Sequence, residues 1–303
     1  MTFPNFFVLG AARAGTTAFY YQLRRHPQVM MSATKEPGYF AQGDPGLRLS
    51  PEAAARYREV SITDRDRYEG LFEGAGDRPV IGEASPVYLY SPQAAPAITS
   101  EVPEAMALAI LRDPVNRAYS SYLRRRDVVP DSETFWQIAR AEEEARRRGA
   151  SPTPVPLIDG SRYCAQIERV KAAFGERLLV VLYHEFKSEP DRVLRTVQSF
   201  LGIEAIGFVP DSQQNASGVA RWRWLERTLS RRNRLTVAAK NVLPGTVVDR
   251  LAMWRGSVRN WNLERAQRIS PSVRSRLIEE YFAGDVAGLQ TNLGVDLGRW
   301  LTE

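Results

Sequence analysis

The sequence predicts an α/β fold: a central parallel sheet flanked by helices, with a helical C-terminal part, in a single domain of residues 1–303. Three features predict it. A short apolar run at 6–9 enters a glycine-bounded loop and then a helical pattern, the strand–loop–helix opening of phosphate-binding α/β domains. Further apolar runs at 29–31, 80–82, 105–111 and 178–183 are nearly continuous, as in strands buried on both faces. The segments between them are long enough to hold crossover helices.

Taken in order, the first helix covers 16–23 and stops before Pro27. Helical patterns return at 115–126 and 134–148, and the second carries Glu142-Glu143-Glu144 ahead of Arg146-Arg147-Arg148. Those spacings allow i,i+4 ion pairs and predict a solvated face. Residues 149–156 contain three prolines and predict an exposed connection. The helix–strand–helix pattern resumes at Ser161 without a change in composition, so this is a long loop and not a domain boundary. From 221 to 261 the chain is basic and rich in tryptophan, and helices at 272–282 and 284–293 lead to Trp300.

With 44% hydrophobic and 25% charged residues, disordered and fibrous classes are excluded. No stretch reaches the roughly 18 to 20 uncharged apolar residues of a membrane span, and the N-terminus lacks the basic start of a signal peptide. The expectation is a cytoplasmic protein without a membrane anchor. One cysteine, Cys164, and two histidines, His26 and His184, make neither an intrachain disulfide nor a zinc cluster, and no metal is implied. Forty-one Lys and Arg against 35 Asp and Glu give +6, which suits a phosphate- or sulfate-bearing ligand. That excess is modest for a nucleic-acid binder, so no nucleic-acid partner is expected.

Gly10-Ala11-Ala12-Arg13-Ala14-Gly15-Thr16-Thr17 has the glycine spacing of a phosphate loop, with Thr16 where Walker A has its lysine. The two glycines permit a sharp turn with inward N–H groups, the helix N-terminus adds positive potential, and Arg13 adds a full charge. A tight strand-to-helix turn is the plain alternative. The second feature is Arg112-Asp113-Pro114 at the end of an apolar run, followed eight residues on by Ser120.

At these two motifs the chain resembles the sulfotransferases that use 3′-phosphoadenosine-5′-phosphosulfate (PAPS). Their phosphosulfate loop reads like 10–17, and their 3′-phosphate motif has an arginine and a serine at this separation. Thr34-Lys35-Glu36-Pro37-Gly38-Tyr39-Phe40 looks like the segment of the carbohydrate and heparan-sulfate branch that carries the catalytic glutamate. Gly82-Glu83-Ala84-Ser85-Pro86 is similar to the segment lining the acceptor cleft there. The stretches 160–163, 178–202 and 289–300 also look familial, so the resemblance covers most of the chain.

The resemblance implies a P-loop-like sheet and a role for each matched position. Glu36 takes the acceptor's proton. Arg13 with Ala14, Gly15, Thr16 and Thr17 holds the sulfonate and the leaving 5′-phosphate. Arg112 and Ser120 select the 3′-phosphate, and Glu83 and Ser85 orient a small-molecule, carbohydrate or lipid acceptor. Placement agrees, because the 10–17 loop, Glu36, Glu83 and Arg112 each follow a different predicted strand, at the sheet edge where ligands bind.

Arg13 departs from the lysine common in the family. Arginine stabilises a leaving group but does not give up its proton, which makes Lys35 the candidate mobile cation. A surface ion pair between Lys35 and Glu36 is the alternative reading of both. Tyr163 is read as an adenine contact or a core ring. Arg221, in Arg221-Trp222-Arg223-Trp224, is the candidate for a second 3′-phosphate contact, in a segment that could equally be a helix with inward tryptophans. Two rival functions stay open at this point: a phosphotransferase with a degenerate loop, and a basic anion-binding module built on 221–234.

Overall fold

The computed structural model describes residues 3–124, 131–150, 156–210 and 268–302, and the backbone of 218–220 and 263–265. Five parallel strands form the central sheet in the order β2-β3-β1-β4-β5. They are β1 (Phe6–Gly10), β2 (Val29–Met31), β3 (Val80–Ala84), β4 (Met106–Leu111) and β5 (Leu178–Leu182). Every residue of β1 is buried, and in β4 only Met106 is not. Continuous apolar runs are what strands covered on both faces require. Register is unbroken between β4 and β5, from Ala107 opposite Leu178 to Leu111 opposite Leu182. The ends of all five strands therefore share one edge, at which the segments after β1, β3 and β4 gather.

Helix α1 (Thr16–Arg24) follows the first loop. Between β2 and β3 lie α2 (Pro51–Val60) and α3 (Arg65–Glu69), capped by Ser50 and Asp64, and between β3 and β4 lie α4 (Val87–Tyr90) and α5 (Ala94–Glu101). Beyond β4, α6 (Pro114–Tyr122) starts with Pro114 at its first position and Asp113 as cap, whose Oδ1 accepts from the Asn116 N–H at 2.7 Å. Helices α7 (Ser132–Arg147) and α8 (Cys164–Phe174) precede β5; α9 (Tyr183–Ser188) and α10 (Pro190–Phe200) follow it. A short antiparallel pair, β6 (Gly218–Ala220) with β7 (Leu263–Arg265), comes next. At the C-terminal end, α11 (Pro271–Leu277) passes through a π-helical turn (Ile278–Phe282) into α12 (Ala283–Leu293).

Three sequence expectations change. Tyr183 leaves the strand and opens α9. The two expected C-terminal helices are one continuous rod joined by the π turn. The triple-glutamate run is not a solvated face, since Glu142 and Glu143 are buried. Glu142 accepts the N–H groups of Leu157, Ile158 and Asp159 at 2.7 to 3.1 Å, and Glu143 bonds Arg146, Arg147 and Arg162. Only the Glu144–Arg148 pair is exposed on both sides.

The C-terminal part is tied to the sheet edge by charge. Arg274 on α11 pairs with the cap residue Asp113 at 2.6 Å and donates to the Trp300 carbonyl at 3.0 Å. Asp285 on α12 accepts the N–H groups of Tyr163 and Cys164 at the start of α8.

Candidate active site

The loop after β1 is anchored by the Ala11 N–H donating to the Ile110 carbonyl of β4 at 2.7 Å. Gly15 has φ 90°, and a Cβ there would sit 2.8 Å from the Tyr183 ring, so both backbone shape and space require glycine. At Gly10, with φ 144°, a Cβ would sit 2.9 Å from the Pro86 carbonyl oxygen and from Leu89. Among the described residues, the N–H groups of Gly15, Thr16 and Thr17 have no hydrogen-bond partner. These are the free donors of a helix N-terminus, which carries partial positive charge.

Two arginines hold the loop. The Arg112 guanidinium donates to the Arg13 carbonyl at 2.9 Å, and Arg117 Nε donates to the Ala12 carbonyl at 3.2 Å. The Ala12 and Arg13 carbonyls are thus satisfied by guanidinium donors. Arg117 is buried and also donates to the Pro156 and Leu157 carbonyls and to Ser161 Oγ. Glu142 organises that same 157–159 turn. Arg112 also lies 5.1 Å over the Tyr183 ring, a cation–π contact that fixes its stem.

Arg13 Nε donates to Ser120 Oγ at 3.1 Å, which joins the loop to the second motif. Arg13 makes no ion pair among the described residues. Burial first, and then the nearby cations Arg124, Arg112 and Arg117, lower its pKa to about 10. It remains charged at neutral pH, in a concentration of positive charge that an anion would relieve. Arg112 and Ser120 also line a cleft of about 540 Å³ together with Arg268, Ile269 and Arg274.

Glu36 follows β2, and its N–H donates to the Ala84 carbonyl at the end of β3 at 3.0 Å. Its side chain is more than half exposed and is ion-paired with Lys35, so the expected pair is present. Arg13 (φ 72°) and Glu36 (φ 62°) are the non-glycine residues of positive φ among the described residues. Such backbone costs about 1–3 kcal/mol per residue and persists where its surroundings over-determine it, most often at functional sites. Both are residues that the motifs single out for chemistry.

Glu83 and Ser85 are fully buried. Glu83 accepts from Tyr68 Oη at 2.7 Å, Tyr88 Oη at 2.8 Å and Ser85 Oγ at 2.6 Å. Ser85 Oγ in turn accepts the Gly38 N–H at 3.0 Å. Neither side chain reaches solvent, so the expected direct contact of Glu83 and Ser85 with an acceptor is not available in this arrangement. Burial pushes the Glu83 carboxyl up to about 7, against the opposing hydrogen bonds. A carboxyl raised in the folded state binds its proton more tightly there, so it stabilises at low pH and loses that contribution as pH climbs from about 4.5 to 7. At about 1.4 kcal/mol per pH unit the loss is up to roughly 3 kcal/mol. Thermal melts should show stability falling across this window, and Glu83→Gln should flatten the slope; an equal slope in the variant would contradict it.

The structure thus brings together Arg13, Ala14, Gly15, Thr16, Thr17, Arg112 and Ser120, and sets Lys35 and Glu36 on the neighbouring segment of the same edge. Tyr163 is fully buried beside Trp300, and Arg221 lies outside the described residues. Residues that sequence reasoning missed are Arg117 and Tyr183; the signal for each was adjacency, Arg117 in the Arg112 motif and Tyr183 at the end of an apolar run. His26 is structural, its ring bonded to the Glu204 carbonyl and the Gln28 N–H. No helix among the described residues is long and apolar enough to cross a membrane.

Known proteins resemble this chain in sequence and in fold. The crystal structure of a sulfotransferase from Alicyclobacillus acidocaldarius superposes with a TM-score of 0.70 at 28% identity, covering 99% of each chain. The human bifunctional heparan sulfate N-deacetylase/N-sulfotransferase 3 is 28% identical over 66% of this chain and 22% of its own length. Mouse carbohydrate sulfotransferase 15 is 31% identical over 40% of this chain and 27% of its own. The chain thus spans about a quarter of the length of these curated relatives. The family model described as "Sulfotransferase family" matches residues 4–206, well over half of the chain and the span that holds the loop, Glu36, Glu83 and the Arg112–Ser120 pair. The chain belongs to the sulfotransferase family.

Proposed function

We propose that this sulfotransferase moves a sulfuryl group from PAPS to a hydroxyl or amine of a carbohydrate acceptor, with Glu36 as general base. The observation that carries the donor assignment is the Arg13–Ser120 contact at 3.1 Å, with Arg112 on the adjoining carbonyl. It supports this reading, because a loop suited to a 5′-phosphosulfate and an arginine–serine pair suited to a 3′-phosphate are in direct contact. Free amides at Gly15, Thr16 and Thr17 fit the anion that the arginine cluster attracts.

In the reaction, the acceptor oxygen or nitrogen bonds to sulfur as the bond from sulfur to the 5′-phosphate oxygen breaks. Glu36 receives the acceptor's proton, and 3′-phosphoadenosine-5′-phosphate leaves with the bonding pair. Arg13 and the loop amides stabilise the charge that grows on the leaving oxygen, a role that suits a preorganised cation which keeps its proton. Lys35, paired with Glu36, supplies the mobile cation on the acceptor side. The carbohydrate acceptor is supported by the kinship with heparan sulfate and carbohydrate sulfotransferases.

The test is transfer of labelled sulfuryl group from PAPS to a heparan-type oligosaccharide with free hydroxyls and amines, run beside p-nitrophenol as a small-molecule acceptor. Label in the oligosaccharide is the expected result. Label in p-nitrophenol alone would move the acceptor class to small molecules, and label in neither would remove the carbohydrate reading.

A further inference from the structure

We propose that Glu83 is a positioning residue for the base: acting through the hydroxyls of Ser85 and Tyr88, its carboxylate holds the 36–40 segment and so fixes Glu36 at the reacting edge. The proposal rests on the reading of Glu36 as the base.

Glu83 has no solvent exposure and makes no ion pair among the described residues. Its neighbours are hydroxyls from three places in the chain: Tyr68 of α3, Tyr88 of α4, and Ser85 just beyond its own strand. A buried carboxylate without a cation is costly, and an apolar side chain in its place would be cheaper for stability alone. What the carboxylate supplies is direction. Each hydroxyl has one proton, and the carboxylate, an acceptor only, draws the protons of Ser85 and Tyr88 toward itself. Their lone pairs are then left facing the other way.

Those lone pairs are used by one segment. Ser85 Oγ accepts the Gly38 N–H at 3.0 Å, and Tyr88 Oη accepts the Phe40 N–H at 3.3 Å. The next peptide is held by Tyr57 of α2, whose hydroxyl donates to the Gly38 carbonyl at 2.9 Å. Two residues before Gly38 stands Glu36 in its left-handed conformation, its N–H on the carbonyl of Ala84, the residue after Glu83. A strained residue keeps its conformation only where neighbouring contacts enforce it. The Glu83 network enforces it from the C-terminal side and the β3 carbonyl from the N-terminal side.

Glutamine at 83 has nearly the same shape but brings a donor. It would turn one of these hydroxyl protons toward an amide N–H of the segment, which breaks a bond that holds the loop. Alanine at 85 deletes the Gly38 contact directly.

The experiment is a double-mutant cycle at about pH 8. Glu83→Gln and Ser85→Ala are each made alone and with Glu36→Gln, and kcat, the KM for PAPS and the affinity for 3′-phosphoadenosine-5′-phosphate are measured. A misplaced catalytic group is expected to lower kcat roughly 10- to 100-fold in the single variants. KM for PAPS and nucleotide affinity should stay within about twofold, because the loop that binds them is intact. In the Glu36→Gln background the same changes should lower kcat no further, since there is no base left to position. Equal losses in both backgrounds, or unchanged kcat in the single variants, would overturn the positioning role. Normal turnover in Glu36→Gln alone would overturn the base reading itself, a separate failure. If Glu83→Gln does not fold, Ser85→Ala, which removes a single hydroxyl, carries the test.

Discussion

Glu36→Gln is expected to lower turnover by at least about 10²-fold while leaving the affinity for 3′-phosphoadenosine-5′-phosphate unchanged. The substitution keeps side-chain length and an oxygen that Lys35 can still donate to, so the local backbone has no reason to move. What is lost is the site's ability to take a proton as the acceptor attacks sulfur. Because Glu36 is exposed and on a different segment from the 10–17 loop, nucleotide binding is insulated from the change. Steady-state rates with saturating PAPS check the first half and calorimetry checks the second. Near-normal turnover would remove Glu36 from the base role and leave its strained backbone without a chemical reason.

Arg112→Ala is expected to weaken nucleotide binding by roughly 10- to 150-fold, the equivalent of about 1.5–3 kcal/mol for one charge-assisted contact. The side chain does two jobs at once. It lines the cleft beside Ser120, where a 3′-phosphate would bind, and it ties back the Arg13 carbonyl at 2.9 Å. The loss should therefore be greater for 3′-phosphoadenosine-5′-phosphate than for 5′-AMP, which has no 3′-phosphate to lose contact with. Equal losses for both nucleotides would reduce Arg112 to a loop clamp, and unchanged binding would discard the assignment altogether.

How much of this was legible in the sequence depends on the range of the interactions involved. The five strands stand out because their apolar runs are continuous, and the loop stands out because only glycine fits at Gly10 and Gly15. Both are local signals. Glu83 was legible as a site residue but not in its setting: its partners Tyr68 and Tyr88 come from helices 15 residues before it and 5 after. The same holds for Glu142, which reads as one of a solvated run until the turn at 157–159 folds back over it. Arg117 looks like one more surface cation on α6, yet it is buried, with backbone carbonyls of two distant segments filling its guanidinium. A carboxylate or guanidinium that takes its hydrogen bonds from backbone groups far along the chain gives no local sign in the sequence that it is buried. The acceptor side was less legible than the donor side for a related reason. The proposed anion cradle is a compact loop written in consecutive residues, whereas the surroundings of Glu36 are assembled from α2, α3, β3 and α4.

The proposed site for a 3′-phosphorylated nucleotide joins the loop to the Arg112–Ser120 pair. Thermal unfolding with 3′-phosphoadenosine-5′-phosphate, beside ADP and 5′-AMP and without added metal, tests it most directly. A ligand at 100 times its dissociation constant adds about 2.7 kcal/mol, enough to raise the midpoint by several degrees. The predicted result is a shift of that size with 3′-phosphoadenosine-5′-phosphate and a much smaller one with the other two. An equal or larger shift with ADP, or none with any nucleotide, would contradict the claim.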